Sequence, residues 1–468
     1  MPDLIKSTAQ DIIQALREEK LSPHDLLDAL EVRISQVEKA VNALPVLCFD
    51  RARQAADRIM KLPVDERGIL CGLPVPIKDL DDVAGVRTTF GSLPFKNNIA
   101  GKNCFLVEKL EAQGAIIYAK SNTPEFGAGG NTFNDVFGAT RNPWDLTKTA
   151  GGSSGGAAAA LSSGTAWLAQ GSDNAGSLRS PASFCGIVGF RPTPGLVVRG
   201  PSVNPYQTLL SNGPMARNVE DVALFLDAMS GEDACDPLSL SKSEYSSYLD
   251  ATQKRKKPLK VAFSADLGLT PVDPEIAEIC QKAALKWQDY GVTVEDATPD
   301  FSGTHESYQT LRAMEFYVSI SHLGDDIRKQ LKPELFENLE MGLNLTSKDI
   351  AVATHMRSKI RERVFHFFDD YDVLLLPTTI VAPFSVEERF LQSCNNIKFH
   401  TYTDWLAIAY AITLVSLPAI SIPCGFTQSG LPVGLQMVSR ARSESDLLGY
   451  ALLMEEALGL ELTPILPS

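Results

Sequence analysis

The sequence predicts an α/β protein whose central sheet is covered by helices on both faces. Two observations carry this. From Leu73 onward, short apolar runs alternate with helical stretches, the order that builds a sheet between two helical layers. The late apolar runs beginning at Val373, Ala419 and Gly434 resemble the early ones, so both sets are expected in the same sheet. The 468 residues are 44% hydrophobic and 21% charged, a balance that excludes a disordered chain, a coiled coil and a collagen-like repeat. No repeat of fixed period stands out, so residues 1–468 are expected as one domain. Its parts are a helical arm (1–60), a core (65–235), a variable and largely helical insertion (236–370) and a return to the core sheet (371–468).

The elements follow in order. In the arm, Ile12, Ile13, Leu16, Leu21, Leu26, Leu27, Leu30 and Ile34 recur mostly three or four residues apart, the stripe of amphipathic helices. Ser22-Pro23 opens the second helix as cap and first-turn proline. Strands are expected at 75–77 and 115–119 with a helix at 103–113 between them. A helix at 156–163, strands at 166–169 and 187–190 and a helix at 219–230 come next. After Asp236 a polar stretch leads to a strand at 259–263 and a helix at 275–290. Long helices are expected over 306–370, a strand at 373–377, irregular chain over 378–404, strands at 419–423 and 434–438, and a closing helix at 444–458. The uncharged run 406–426 imitates a membrane span, but a helix through Pro418 and Pro423 would lose backbone bonds. It reads as a buried helix, a turn at 416–418 and a strand, with no membrane partner.

Asp and Glu number 57 against 43 Lys and Arg, a net charge of −14. An acidic surface repels phosphate backbones, and Lys254-Arg255-Lys256-Lys257 reads as a solvated charge run, so no nucleic-acid partner is expected. The eight cysteines are scattered, with no CxxC pair, as free thiols in a reducing compartment would be. With no apolar leader in the first residues, the expected location is cytoplasmic. The six histidines form no HxxxH or HExxH, so no metal is expected, and nothing implies an organic cofactor.

The chemistry lies in two loops. Gly151-Gly152-Ser153-Ser154-Gly155-Gly156 opens an alanine-rich helix, which argues against a linker. Such a loop aims backbone N–H groups at one place, but the Gly-Lys-Ser/Thr ending of a phosphate cradle is missing. Gly171-Ser172-Asp173-Asn174-Ala175-Gly176-Ser177-Leu178-Arg179-Ser180-Pro181-Ala182 alone reads as a tight turn. Together the two loops resemble the amidase signature from Gly151 to Ala182. Gly72-Leu73-Pro74-Val75-Pro76-Ile77-Lys78-Asp79 resembles the family's upstream lysine segment, and Gly430-Leu431-Pro432-Val433-Gly434-Leu435-Gln436 also fits. The resemblance spans roughly residues 5–460. The form Gly-Ser-Asp-x-x-Gly-Ser-Leu-Arg is similar to the branch of aryl acylamidases and 6-aminohexanoate cyclic dimer hydrolase.

The resemblance implies an α/β/α sandwich around a large twisted mixed sheet and a Ser–cis-Ser–Lys triad. Ser177 takes the place of the nucleophile, Ser153 of the bridging serine behind a cis Gly152–Ser153 bond, and Lys78 of the base. The backbone N–H groups of Asn174, Ala175, Gly176 and Ser177 are the implied oxyanion donors, and Ser154, Asp173 and Arg179 the supporting network. Physical chemistry agrees. A serine needs a base to take its proton, and no histidine lies near either loop. A lysine serves only when neutral, which burial favours, and Lys78 ends a near-apolar strand. Asp79 opposes this unless it points elsewhere. Ala175 stands where the family more often has glycine, and alanine disfavours positive φ.

Gly127, Ala128 and Gly129 fall where the family lines its acyl pocket; small residues there widen an entrance or merely make a turn. Tyr308, Met314, Phe316 and Tyr317 are further pocket candidates, although such a helical cluster is commonly core. The implied activity is hydrolysis of small, largely uncharged amides, anilides or carbamates, with water. The alternative is the glutaminase (A) subunit of a tRNA-dependent amidotransferase; a catalytically dead scaffold is the third reading. The helical arm is compatible with a homodimer.

Overall fold

The computed structural model describes residues 4–241, 247–460 and 463–467, so the polar stretch after Asp236 lies partly outside the described residues. Two helices open the chain, α1 (Ala9–Arg17) and α2 (Pro23–Val41). Thr8 with Asp11 and Ser22 with Asp25 form capping boxes, and Pro23 sits in the first turn of α2. Their stripe, including Ile12, Leu16, Leu26 and Leu30, is buried in the same cluster as Val75, Ile77 and Ile116. The arm therefore finds its apolar partner within the chain and supplies no argument for a second copy.

Eleven strands carry the architecture: β1 (Val46–Leu47), β2 (Pro74–Lys78), β3 (Ile116–Ser121), β4 (Leu168–Asp173), β5 (Val188–Arg191), β6 (Ser211–Ala216), β7 (Lys260–Phe263), β8 (Thr293–Asp296), β9 (Val373–Pro377), β10 (Ala419–Phe426) and β11 (Pro432–Ser439). Eight of them form one mixed sheet, in the order β8-β7-β9-β11-β10-β5-β6-β4. The neighbours β8, β7 and β9 run parallel and the remaining pairs antiparallel. Alternate residues enter different cores: Val373 and Leu375 one cluster, Leu374 and Leu376 another. Both faces are thus buried, as the sandwich requires.

One expectation needs correction. The early strands β2 and β3 are not laddered into the eight-stranded sheet; with β1 they form a separate three-stranded sheet, β1-β3-β2. The reason is chemical. Pro74 and Pro76 have no N–H to offer. Lys78, next in the same alternation, gives its N–H to the Gln170 side-chain oxygen of β4 at 2.9 Å. A side chain replaces a ladder, and β2 lies against β4 without pairing to it.

Helices α3 (Gly155–Ser162) and α4 (Arg179–Cys185) follow the two loops, and every residue of both is buried. Residues 179–182, expected in the second loop, already belong to α4. Three further helices matter for the site: α5 (Thr304–Ile320), α6 (Ser347–Asp370) and α7 (Ala407–Leu414). The uncharged run divides as expected, with α7, a turn in which Ser416 takes φ 57°, and β10. Among the described residues no helix is long and apolar enough to cross a membrane.

Candidate active site

The C-terminal ends of β2 and β4 meet the loop that opens α3. Lys78 Nζ lies 2.7 Å from Ser153 Oγ, 2.8 Å from Ser154 Oγ and 3.1 Å from Ser172 Oγ. The Gly152–Ser153 peptide bond is cis. Ser154 is fixed on both sides of the Ser172 backbone: its Oγ accepts the Ser172 N–H and lies 3.2 Å from the Ser172 carbonyl. Its own N–H donates to the Ser177 carbonyl, which ties the two loops together. Ser177 opens on the same cavity as Ser153, but among the described residues no hydrogen bond joins the two hydroxyls.

Lys78 is fully buried, and burial brings its amine down from 10.5 to about 7 against the opposing pull of Asp81 and Asp173. Asp79 does point elsewhere. It accepts from the N–H and hydroxyl of Thr89 and lies 3.5 Å from Lys120 Nζ. The carboxylate that most raises Lys78 is Asp81, which accepts from Gln170 Nε2 at 2.9 Å. Every direct partner of the Lys78 amine is therefore an uncharged hydroxyl.

Asp173 ends β4 and organises the turn. Its carboxylate accepts from Gly176 N–H, Leu178 N–H and the Arg179 guanidinium, all within 3.0 Å, and Arg191 Nη1 is 3.3 Å away. Burial pushes this carboxyl up, but Arg179 and Arg191 outweigh it and hold it well below the usual carboxylate range. Arg179 also donates to the carbonyl of Ala409, to Thr413 Oγ1 and to Gln436 Oε1, so α7 and β11 anchor it. One expected oxyanion donor is thereby withdrawn: the Gly176 N–H is taken by Asp173, which leaves Asn174, Ala175 and Ser177. The positive φ of the turn falls on Gly176, at 98°, and not on Ala175. That is why alanine is accommodated one place earlier. A Cβ at Gly176 would stand 2.6 Å from that of Ala409.

Ser153, Ser177, Ser172 and Asn174 line a cavity of about 160 Å³, close to the ~150 Å³ of an engineered site that holds benzene. Its apolar walls are Leu80, Phe126, Gly127, Leu210, Phe316 and Ile320, and its other polar residues are Gln207, Arg312, Glu315 and Ser319. Of the three small residues expected here, Gly127 alone faces the cavity. A Cβ on it would meet Leu80 Cδ1 at 2.9 Å and Ser153 Oγ at 3.5 Å. Ala128 is packed with Ile320, Leu335 and Leu339, and its carbonyl accepts from Lys332. Gly129 lies under Lys332 Nζ. Both belong to the turn behind the wall. Phe316 is a wall as expected, whereas Met314 and Tyr317 pack into the neighbouring clusters. Tyr308 is buried beneath Asn174, donates to its Oδ1 at 2.9 Å and stacks on Tyr410.

Sequence reasoning missed the roles of Ser172, Asp81, Gln170, Arg191 and Phe126. Ser172 stood inside the second glycine-serine loop, where its place beside Asp173 was the available signal. Gln170 and Arg191 become visible once β2 is set against β4 and the end of β5 beside the turn.

Residues 25–448 match the family model described as Amidase. The chain is 36% identical to an acylamidase of Rhodococcus erythropolis, over 95% of this chain and 94% of that protein. It is 33% identical to the glutamyl-tRNA(Gln) amidotransferase (A) subunit of Alkaliphilus metalliredigens, over 97% and 96%. A solved bacterial aryl acylamidase superposes with a TM-score of 0.90 at 25% identity, covering 97% of this chain and 96% of that one.

Proposed function

The chain belongs to the amidase family, whose members hydrolyse carbon–nitrogen bonds other than peptide bonds, and on that premise we propose that it cleaves small, largely uncharged amides, anilides or carbamates through an acyl-enzyme on Ser177. The observation that carries this is the buried Lys78 amine, near neutrality and 2.7 Å from Ser153 Oγ. A neutral amine has two N–H bonds and one lone pair. Among three hydroxyls it donates to two and accepts from the third, and Ser153, which shares the cavity with Ser177, is that third.

In the proposed reaction Ser177 Oγ attacks the carbonyl carbon. Its proton passes to Ser153 while the Ser153 proton passes to Lys78, now an ammonium. The oxyanion accepts from the N–H groups of Asn174, Ala175 and Ser177, donors of a kind typically worth ~10²–10³ in rate each. When the intermediate collapses, the C–N bond breaks and Lys78 returns a proton through Ser153 to the departing nitrogen. Water then attacks the acyl-enzyme along the same route, releasing the acid and restoring Ser177. The Ser177–Ser153 contact closes in the substrate complex, since catalytic hydrogen bonds are often loose before substrate binds.

Ser177→Ala tests the assignment: labelling by a serine-reactive phosphonate is expected to vanish, and retained labelling at another serine contradicts it. One observation favours a second reading, the 33% identity to the glutaminase-type chain of an amidotransferase. Purified chain that releases ammonia from glutamine but leaves anilides intact would support that reading over the first.

A further inference from the structure

The far wall of the cavity is one face of α5. Arg312, Glu315, Phe316 and Ser319 stand three or four residues apart there, the spacing that sets side chains on one side of a helix. Two of them are charged and deeply buried, with Arg312 3% and Glu315 8% exposed. Each has an atom with no hydrogen-bond partner, Oε2 of Glu315 and Nε of Arg312. The remainder of Arg312 is held: its Nη2 donates to the Tyr402 hydroxyl and its guanidinium lies over the Phe316 ring at 4.4 Å. Glu315 forms no salt bridge among the described residues. Native proteins seldom leave buried polar atoms unpaired, and those they do leave call for a partner from outside the chain.

We propose that Glu315 and Arg312 form a polar subsite that selects amides whose cavity-filling portion carries a hydroxyl or a carboxamide. This rests on the amide-hydrolase reading above and narrows its substrate class. The group has to give a hydrogen bond to Oε2 and take one from Nε, and a hydroxyl or a carboxamide does both. An ammonium does not fit, because it cannot accept and because Arg357, Arg199 and Arg312 surround Glu315 with positive charge. Burial pushes the Glu315 carboxyl up to about 7, against the pull of those arginines, so near neutrality it meets a neutral partner in either protonation state.

The test is a set of straight-chain acyl anilides, each paired with the isostere in which a terminal hydroxyl replaces the terminal methyl, at several chain lengths. In the wild type, at least one hydroxyl member is expected to exceed its methyl partner in kcat/KM by about tenfold or more. In Glu315→Leu that ratio is expected to fall to about one. Glu315→Gln, which keeps the shape and an acceptor, is expected to lie between. The readout is a ratio within each variant, so a general loss of activity cancels. A wild type that prefers no hydroxyl member, or a preference that survives in Glu315→Leu, overturns the proposal. If the wild type hydrolyses the methyl members without preference, the subsite fails alone; if it hydrolyses no anilide or other amide, the amidase reading fails with it.

Discussion

The pH dependence of amide cleavage should report the state of Lys78. Bringing its amine from 10.5 to about 7 corresponds to roughly 5 kcal/mol of lost preference for the charged form. Only the neutral amine accepts the relayed proton, so kcat/KM should rise with pH and level off above about 7. The neutral fraction is about 0.09 at pH 6 and about 0.9 at pH 8, a change of roughly tenfold. An amine left at its ordinary value would be about 0.0003 neutral at pH 7 and would put the rise near pH 10. Asp81 opposes the shift, so Asp81→Asn should move the midpoint to lower pH. The assay is initial-rate hydrolysis of one anilide from pH 5 to 10 in wild type and variant. A midpoint above 9, or an Asp81→Asn profile displaced upward, would refute the reasoning.

Three residues give further tests. Gly127 takes φ 69° against the cavity, so Gly127→Val should cost ~1–2 kcal/mol of stability from backbone strain and lower kcat/KM more for long acyl chains than for acetyl; an equal loss across chain lengths would remove Gly127 from the wall. Asp173→Asn leaves Arg179 and Arg191 buried without their carboxylate, and chemical denaturation should register a loss of ~3–5 kcal/mol. A loss below ~1 kcal/mol would mean the ion cluster does not hold the turn. Gly176→Ala, with its Cβ 2.6 Å from that of Ala409, should lower both the melting temperature and kcat, whereas the neighbouring Ala175→Gly should leave the melting temperature nearly unchanged.

Much of this was legible in the chain. Lys78 ends an apolar strand, and that alone implies burial and a neutral amine. The loops that open α3 and follow β4 carry their glycines and serines in an unbroken pattern. What escaped was whatever depends on juxtaposition. The prolines of β2 forbid a ladder to β4, but only the fold shows that Gln170 substitutes for it and then holds Asp81 beside the amine. The sequence could not reveal that Asp173 spends an acceptor on Gly176 N–H, because a turn's internal bonds depend on torsions that local sequence leaves open. Ala128 and Gly129 share the smallness of Gly127 and yet face the other way, since a single turn decides which of three consecutive residues meets the cavity.

The central claim is that a neutral Lys78 sends a proton back through Ser153 to the leaving nitrogen. The most direct measurement compares Lys78→Ala with wild type on an amide and an ester sharing one acyl group, at pH 7.5. Losing the base should slow the amide by ~10²–10⁴ and the ester markedly less, because an alkoxide needs less protonation to leave than an amide nitrogen does. Equal losses on the two substrates would contradict proton return through Lys78.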